Sequence, residues 1–310
     1  MEPITFTPLY MTRIWGGRSL ESRFGRELPD EQPYGESWEI SDRPDEQSQV
    51  SSGPFCGKTL HELWTHHREE IFGEGFTSDR FPLLIKILDA RDDLSIQVHP
   101  PAEVAEGLGG DPKTEMWYIA AADPKAKLYI GLKNGSTQES FQHALNNGTD
   151  EGQVHAVTPN EGQSIFIPSG RLHAIGAGFL IYEIQQNSDT TYRVFDWNRV
   201  GLDGKPRDLH IAESMASIDF QDFEPGMDQP SGNNLATCDH FIVDQINLDR
   251  EAILSNPTDA FSIVTVISGQ LISEGGKRFQ AGDFLIQARK APPLTATEDS
   301  KVLQTYLPKT

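Results

Sequence analysis

Cysteine is almost absent from this 310-residue chain: only Cys56 and Cys238 occur, far apart and outside any C-x-x-C pair. That excludes a disulfide framework and a thiolate metal site, and it suits a reducing compartment. Positive charge is scarce as well, with 26 Lys and Arg against 46 Asp and Glu and a formal net charge of −20. A field of that sign repels nucleic acid and anionic membrane surfaces, so neither is expected as a partner. It also repels a phosphorylated small molecule, which needs a local cluster of Lys and Arg to bind. No apolar run approaches the length of a bilayer span, and the opening MEPITFTPLYMTRIWGG lacks the basic and apolar regions of a secretory signal. A soluble, cytoplasmic protein is the expectation. Low-complexity tracts and short-period repeats are missing too.

Turn formers, by contrast, are plentiful. With 27 Gly, 20 Pro and 37% hydrophobic residues, the chain reads as many short elements rather than long helices. Strand-length runs rich in β-branched and aromatic residues begin at Phe81 (FPLLIKIL), Ser95 (SIQVH), Met116 (MWYIA), Lys127 (KLYI), Ser164 (SIFIP) and Phe179 (FLIYEI). They predict antiparallel β-structure, a sandwich or a barrel. Two helices are announced by capping boxes: Thr59 with Glu62, ahead of Leu63 and Trp64, and Ser136 with Glu139, closing near Gly148. A polar stretch over residues 223–234 (FEPGMDQPSGNN) separates this region from further strands at 261–267, 270–273 and 284–286. The boundary divides the chain into residues 1–225 and residues 235–310. The second part is short for a closed barrel, so N-terminal strands before about residue 50 are expected to complete it.

The densest chemical signal is Gly162-QSIFI-Pro168-Ser-Gly170-RL-His173. This spacing resembles the second motif of the cupin superfamily, in which a strand, a tight Pro-Gly turn and the next strand aim a His into a barrel. Upstream, Gln97 and His99 lie two apart on a predicted strand and therefore share a face, with Glu115 following. Gln97, His99, Glu115 and His173 together offer two imidazoles, one amide oxygen and one carboxylate, a mixed set suited to Zn²⁺. A single carboxylate leaves such a site net positive, and a further position stays available for water or a substrate oxygen. Each residue alone is commonplace on a strand. The other histidines, 61, 66, 67, 143, 155, 210 and 240, have no partner spacing.

Ordered blocks then point to one family. Trp15-Gly-Gly, GESWEIS from Gly35, PLLIKILDA from Pro82, LSIQVHP from Leu94, KTEMWY from Lys113 and NSDTTYRVFDWNR from Asn187 resemble the type I mannose-6-phosphate isomerases, in their short bacterial form. The resemblance implies a mainly β fold of two cupin-type jelly-roll β-barrels with a few short inserted helices. It also implies interconversion of D-mannose 6-phosphate and D-fructose 6-phosphate through an enediol. By the same resemblance Gln97, His99, Glu115 and His173 hold one Zn²⁺ per chain, and Lys113, Glu183, Asp189 and Arg193 fall in or around the catalytic pocket. The chain departs from longer members in reading Asp-Pro-Lys-Thr-Glu up to and including Glu115, without their flanking His, and in having no room for their extra helical segment. The expected partner is a small phosphorylated sugar, and the expected state a monomer or homodimer.

Several roles stay open at this level. Glu183, Asp189 and Lys113 are all candidate general bases. Alternation along FLIYEIQQ allows Glu183 on the solvent face; Asp189 can organise the turn after Asn187 and Ser188; Arg193 can pair with Asp196. If Gly282 stands where Gly162 does, the places of Pro168, Gly170 and His173 are taken by Ala288, Lys290 and Pro293, so the C-terminal half carries no metal. Two other readings compete: a cupin Fe or Mn oxygenase, and a sugar-phosphate-binding paralogue without turnover.

Overall fold

The computed structural model describes residues 1–147 and 150–308. As the turn-rich composition requires, the chain is mainly β with a few short helices. It divides into two compact units, one built from residues 10–37 and 86–228, the other from 1–9, 38–85 and 229 onward.

Eight strands run from β1 to β8: Leu83–Ala90, Ile96–Val98, Glu115–Ala122, Leu128–Leu132, Val154–Val157, Ser164–Ile167, His173–Ile175 and Phe179–Gln186. One sheet has the order β6-β3-β8-β1 and continues through Leu9–Gly17 and Tyr34–Ile40. The other has Tyr192–Phe195 followed by β2-β7-β4-β5. β1 is buried along its whole length, which is why its sequence is mostly apolar, broken only by Lys86 and Asp89, and not alternating. Trp117, Ile119, Ile165 and Ile181 of the first sheet join Leu128, Ile130 and Ile175 of the second in one core, none more than 2% exposed. Each such side chain contributes about 1.5–3 kcal/mol through burial.

A second set of eight follows, β9 to β16: Ile242–Leu248, Ile253–Leu254, Ser262–Ser268, Gln270–Ile272, Arg278–Gln280, Phe284–Gln287, Leu294–Ala296 and Ser300–Tyr306. Its sheets are β14-β11-β16-β9, edged by Asn234–Thr237, and β10-β15-β12-β13. Every label is eight greater than its counterpart in the first set, so one topology is used twice. Val264, Val266, Leu271, Phe279, Leu285, Leu294 and Val302 form the corresponding core.

The helix Leu60–His66 begins as its sequence predicts. Thr59 Oγ1 accepts from Glu62 N at 3.1 Å, Glu62 Oε2 accepts from Thr59 N at 2.7 Å, and Leu60, Leu63 and Trp64 are buried. The helix Gln138–Asn147 is capped one residue later than expected. Thr137 and Ser140 exchange the two capping bonds, at 2.9 and 3.1 Å, while Ser136 Oγ is 3.0 Å from Gln153 Oε1. Both positions carry a hydroxyl, and the contact with Gln153 decides which of them caps. The predicted stop at Gly148 lies outside the described residues. Among the described residues no helix is long and apolar enough to cross a membrane.

Candidate metal centre and adjoining pocket

Three strands bring the site together. β2 ends as Pro100 and Pro101 remove backbone donors, which leaves His99 at its C-terminal edge. The turn after β6 returns through Gly170, whose φ of +91° is available chiefly to glycine and whose N–H donates to His99 O at 2.8 Å. β7 then opens at His173, directly opposite Gln97 of β2, and β3 opens at Glu115.

The two rings are fixed in the same way. His99 Nδ1 donates to Thr190 O and His173 Nδ1 to Arg171 O, each at 2.8 Å, so each Nε2 presents its lone pair inward. Those nitrogens lie 3.5 and 3.7 Å from the Glu115 carboxylate. The ligand atoms of His99, Glu115 and His173 all fall within 4.8 Å of one another, and all three residues are buried. His99 Nε2 and Glu115 Oε1 have no hydrogen-bond partner. Unpaired polar atoms are costly in a core, and here they converge on one point, which is what a cation would satisfy. The Gln97 side-chain nitrogen stands 3.4 Å from His173 Nε2, so the fourth expected ligand borders the same point.

Beside the cluster runs a row of alternating charges. Lys113 Nζ is 2.9 Å from Glu115 and 3.9 Å from Glu183; Lys86 Nζ is 3.4 Å from Glu183 and 4.0 Å from Glu36; Arg13 clasps Glu36 through two bonds of 3.0 and 3.2 Å. Glu183 also accepts from Trp117 Nε1 at 3.0 Å. Burial disfavours the charge on Lys113, but Glu115 and Glu183 outweigh it and raise its pKa. Burial likewise opposes the Glu115 carboxylate, yet Lys113, His99 and His173 hold it well below its usual range. Glu183 moves upward, through burial and then the Glu115 charge. Burial, followed by Lys113, lowers His99 to about 3, and burial lowers His173 too.

A cavity of about 270 Å³ adjoins the cluster, and Gln97, His173, Lys113, Glu183, Asp189 and Arg193 line it. Five cationic and three acidic side chains face it, so its wall is net positive in a chain whose total is −20. This is the local Lys and Arg cluster that the overall charge demands of a phosphate binder. A larger open cavity, of about 590 Å³ around Asp89 and Arg91, holds none of the candidate ligands.

The open alternatives separate as follows. Glu183 is 3% exposed and faces the cavity, not solvent. Asp189 is exposed at the cavity wall, while Ser188 organises the turn through Thr190 N and Asp111 O. Arg193 does not take Asp196, which Arg199 and Arg207 bind instead. Sequence reasoning passed over Arg13, Glu36, Lys86 and Arg207. One signal was present: Lys86 sits mid-run in an apolar strand, where a charge must find a partner.

A mainly β protein with a buried histidine–carboxylate centre in a positive pocket defines a candidate metalloenzyme class. Residues 4–143 match the model of the phosphomannose isomerase type I catalytic domain. Mannose-6-phosphate isomerase ManA of Bacillus subtilis is 37% identical over 297 residues, 92% of each chain. Mannose-6-phosphate isomerase of Streptococcus mutans is 41% identical over 215 residues, 69% of this chain and 67% of that one. The crystal structure of the mannose 6-phosphate isomerase from Bacillus subtilis superposes with a TM-score of 0.89 at 35% identity, covering 99% of this chain and all of that one. The chain belongs to the type I phosphomannose isomerase family.

Proposed function

We propose that the protein interconverts D-mannose 6-phosphate and D-fructose 6-phosphate, with one Zn²⁺ held by Gln97, His99, Glu115 and His173. The observation that carries this reading is the convergence of the partnerless His99 Nε2 and Glu115 Oε1 with His173, in a family of isomerases. Gln97 joins the set by turning its amide oxygen, in place of nitrogen, toward His173. When bound, the ion supplies Lewis-acid stabilisation of charge on the sugar oxygens beside it.

The remaining work falls to the chain. Aldose–ketose exchange moves a proton between adjacent carbons by way of an enediol, so a base must hold that proton between removal and return. Glu183 is assigned that part: it is buried at the cavity wall and oriented by Trp117, and its raised pKa brings it closer to neutral pH. Lys113, held as an ammonium by Glu115, donates to the substrate oxygens. Arg193 supports the substrate from the neighbouring strand, and Asp189 borders the opening. The two sets of eight strands are read as two cupin-type barrels, the second, over residues 235–310 with N-terminal strands, free of metal. A coupled assay with metal analysis tests the proposal. Turnover of mannose 6-phosphate with one bound Zn²⁺ per chain, lost on chelation, is expected; full activity without a divalent ion overturns it.

A further inference from the structure

Among the described residues lining the pocket, cationic side chains outnumber the acidic ones. Asp196 is 5% exposed and receives two guanidinium groups, Arg199 through Nε at 3.1 Å and Arg207 through Nε at 2.7 Å, with Arg207 Nη2 closing a bidentate pair. One carboxylate between two arginines leaves one positive charge in excess. Arg193 adds a third: its Nη1 donates to Asp208 O at 3.0 Å, and its Nε is buried without a partner. Burial lowers the Arg193 guanidinium first and the neighbouring Arg207 charge adds to it, while Asp196 and Asp208 oppose them. Arg193 and Arg207 both line the cavity next to the metal centre.

Their position relative to that centre follows from the sheet. Arg193 is paired across strands with Gln97, and Gln97 with His173, so the three lie in one row. Successive strands are about 4.8 Å apart, which places Arg193 one spacing from Gln97 and two from His173, and Arg207 lines the same cavity. A six-carbon chain reacting at one end and phosphorylated at the other needs such a separation.

We infer that Arg207 binds the phosphate of the substrate and that Asp196 is the positioning residue that sets its guanidinium. The inference rests on the sugar-phosphate reading above. Arg207 commits Nε and Nη2 to Asp196, which leaves Nη1 for the cavity, and its planar fork suits a phosphate oxygen.

The test compares wild type with Arg207→Gln, Arg207→Lys, Asp196→Asn and the Arg207→Gln/Asp196→Asn double variant, in two measurements. Kinetics use mannose 6-phosphate; thermal shift uses inorganic phosphate alone, with circular dichroism confirming the fold. Arg207→Gln is expected to raise KM by about 10- to 100-fold, with the loss in KM and not in kcat, and to weaken phosphate stabilisation to a similar degree. Arg207→Lys should recover part of both. Asp196→Asn should raise KM less, and should add nothing once Arg207 is gone, whereas a merely structural role would lower the melting temperature and leave phosphate binding intact. Unchanged KM and unchanged phosphate stabilisation in folded Arg207→Gln overturn the inference. Should wild type turn over no mannose 6-phosphate while phosphate stabilisation still depends on Arg207, the isomerase reading fails and the phosphate subsite stands.

Discussion

Residues 162–173 and 282–293 follow the same backbone course and deliver different chemistry. Gly162 and Gly282 have φ of 86° and 88°; their N–H groups donate to Ile119 O and Val266 O at 2.8 and 2.9 Å. Ile119 N and Val266 N answer by donating to Gln163 O and Asp283 O at 2.9 and 3.0 Å. The turn that follows closes from Arg171 N to Pro168 O at 3.1 Å, and from Ala291 N to Ala288 O at 3.0 Å. Counting back from Ile119 and Val266 sets Glu115 against Ser262, and cross-strand pairing sets Glu183 against Gln304. His173 is matched by Pro293. Where the first half places charge, the second has a neutral network: Gln304 Nε2 donates to Ser262 Oγ at 3.0 Å and to Ser255 O at 2.9 Å, and Ser262 Oγ donates to Asn256 Oδ1 at 2.7 Å. The topology therefore does not depend on the charged centre. At these matched positions the polar atoms of the second half satisfy one another, whereas in the first His99 Nε2 and Glu115 Oε1 are held without a partner beside His173, which is the signature of a site that binds something.

The largest consequence concerns the ligands. Glu115→Gln should abolish divalent-ion binding, measured by metal analysis, and cut activity by about a thousandfold or more; a variant that retains its ion would show that Glu115 is not a required ligand. Glu183→Gln should keep the ion and lower kcat by about 10²- to 10⁴-fold in the coupled assay. In the other half, Gln304→Leu strands Ser255 O without its donor and should destabilise by about 1–3 kcal/mol in denaturant melts, with kcat per folded molecule unchanged. Chelated protein should lose stability as pH falls. His99 is lowered from 6.5 to about 3 by burial, so below 6.5 the unfolded chain binds the proton that the folded one refuses, and the loss runs from there toward 3. A chelated His99→Gln melt that follows the same acid profile would remove His99 as the cause. The smallest effect belongs to Lys290, which holds φ of +57° where the first half has Gly170. Lys290→Gly should raise the unfolding free energy slightly, by about 1 kcal/mol or less in denaturant melts, since relieved left-handed strain is partly offset by unfolded-state entropy.

Much of the site was legible because local spacing encodes it. The Gly-x₅-Pro-x-Gly-x₂-His run requires a strand, a glycine-dependent turn and a strand; the Gln97–His99 interval requires a shared face; both are statements about adjacent residues. The capping box at Thr59 was legible for the same reason. At Ser136 and Thr137 two adjacent hydroxyls competed, and the distant Gln153 settled the matter. Glu183 could not be placed on a face because β8 is buried on both sides, and alternation carries no information there. The Arg13–Glu36–Lys86 row joins residues far apart in sequence, and no local pattern marks it; the Asp196 clasp is more local, with Arg199 three and Arg207 eleven residues on, and the spacing alone does not say which arginine Asp196 takes.

Residue order alone therefore determined the mainly β character and the metal-ligand candidates, since each follows from period, turn chemistry and donor type within short stretches. Tertiary structure alone decided which charges are shared. Whether an arginine or a lysine is neutralised or left in excess depends on which strands lie side by side, and that is a property of the assembled sheets, where distance and burial set the strength of every pair.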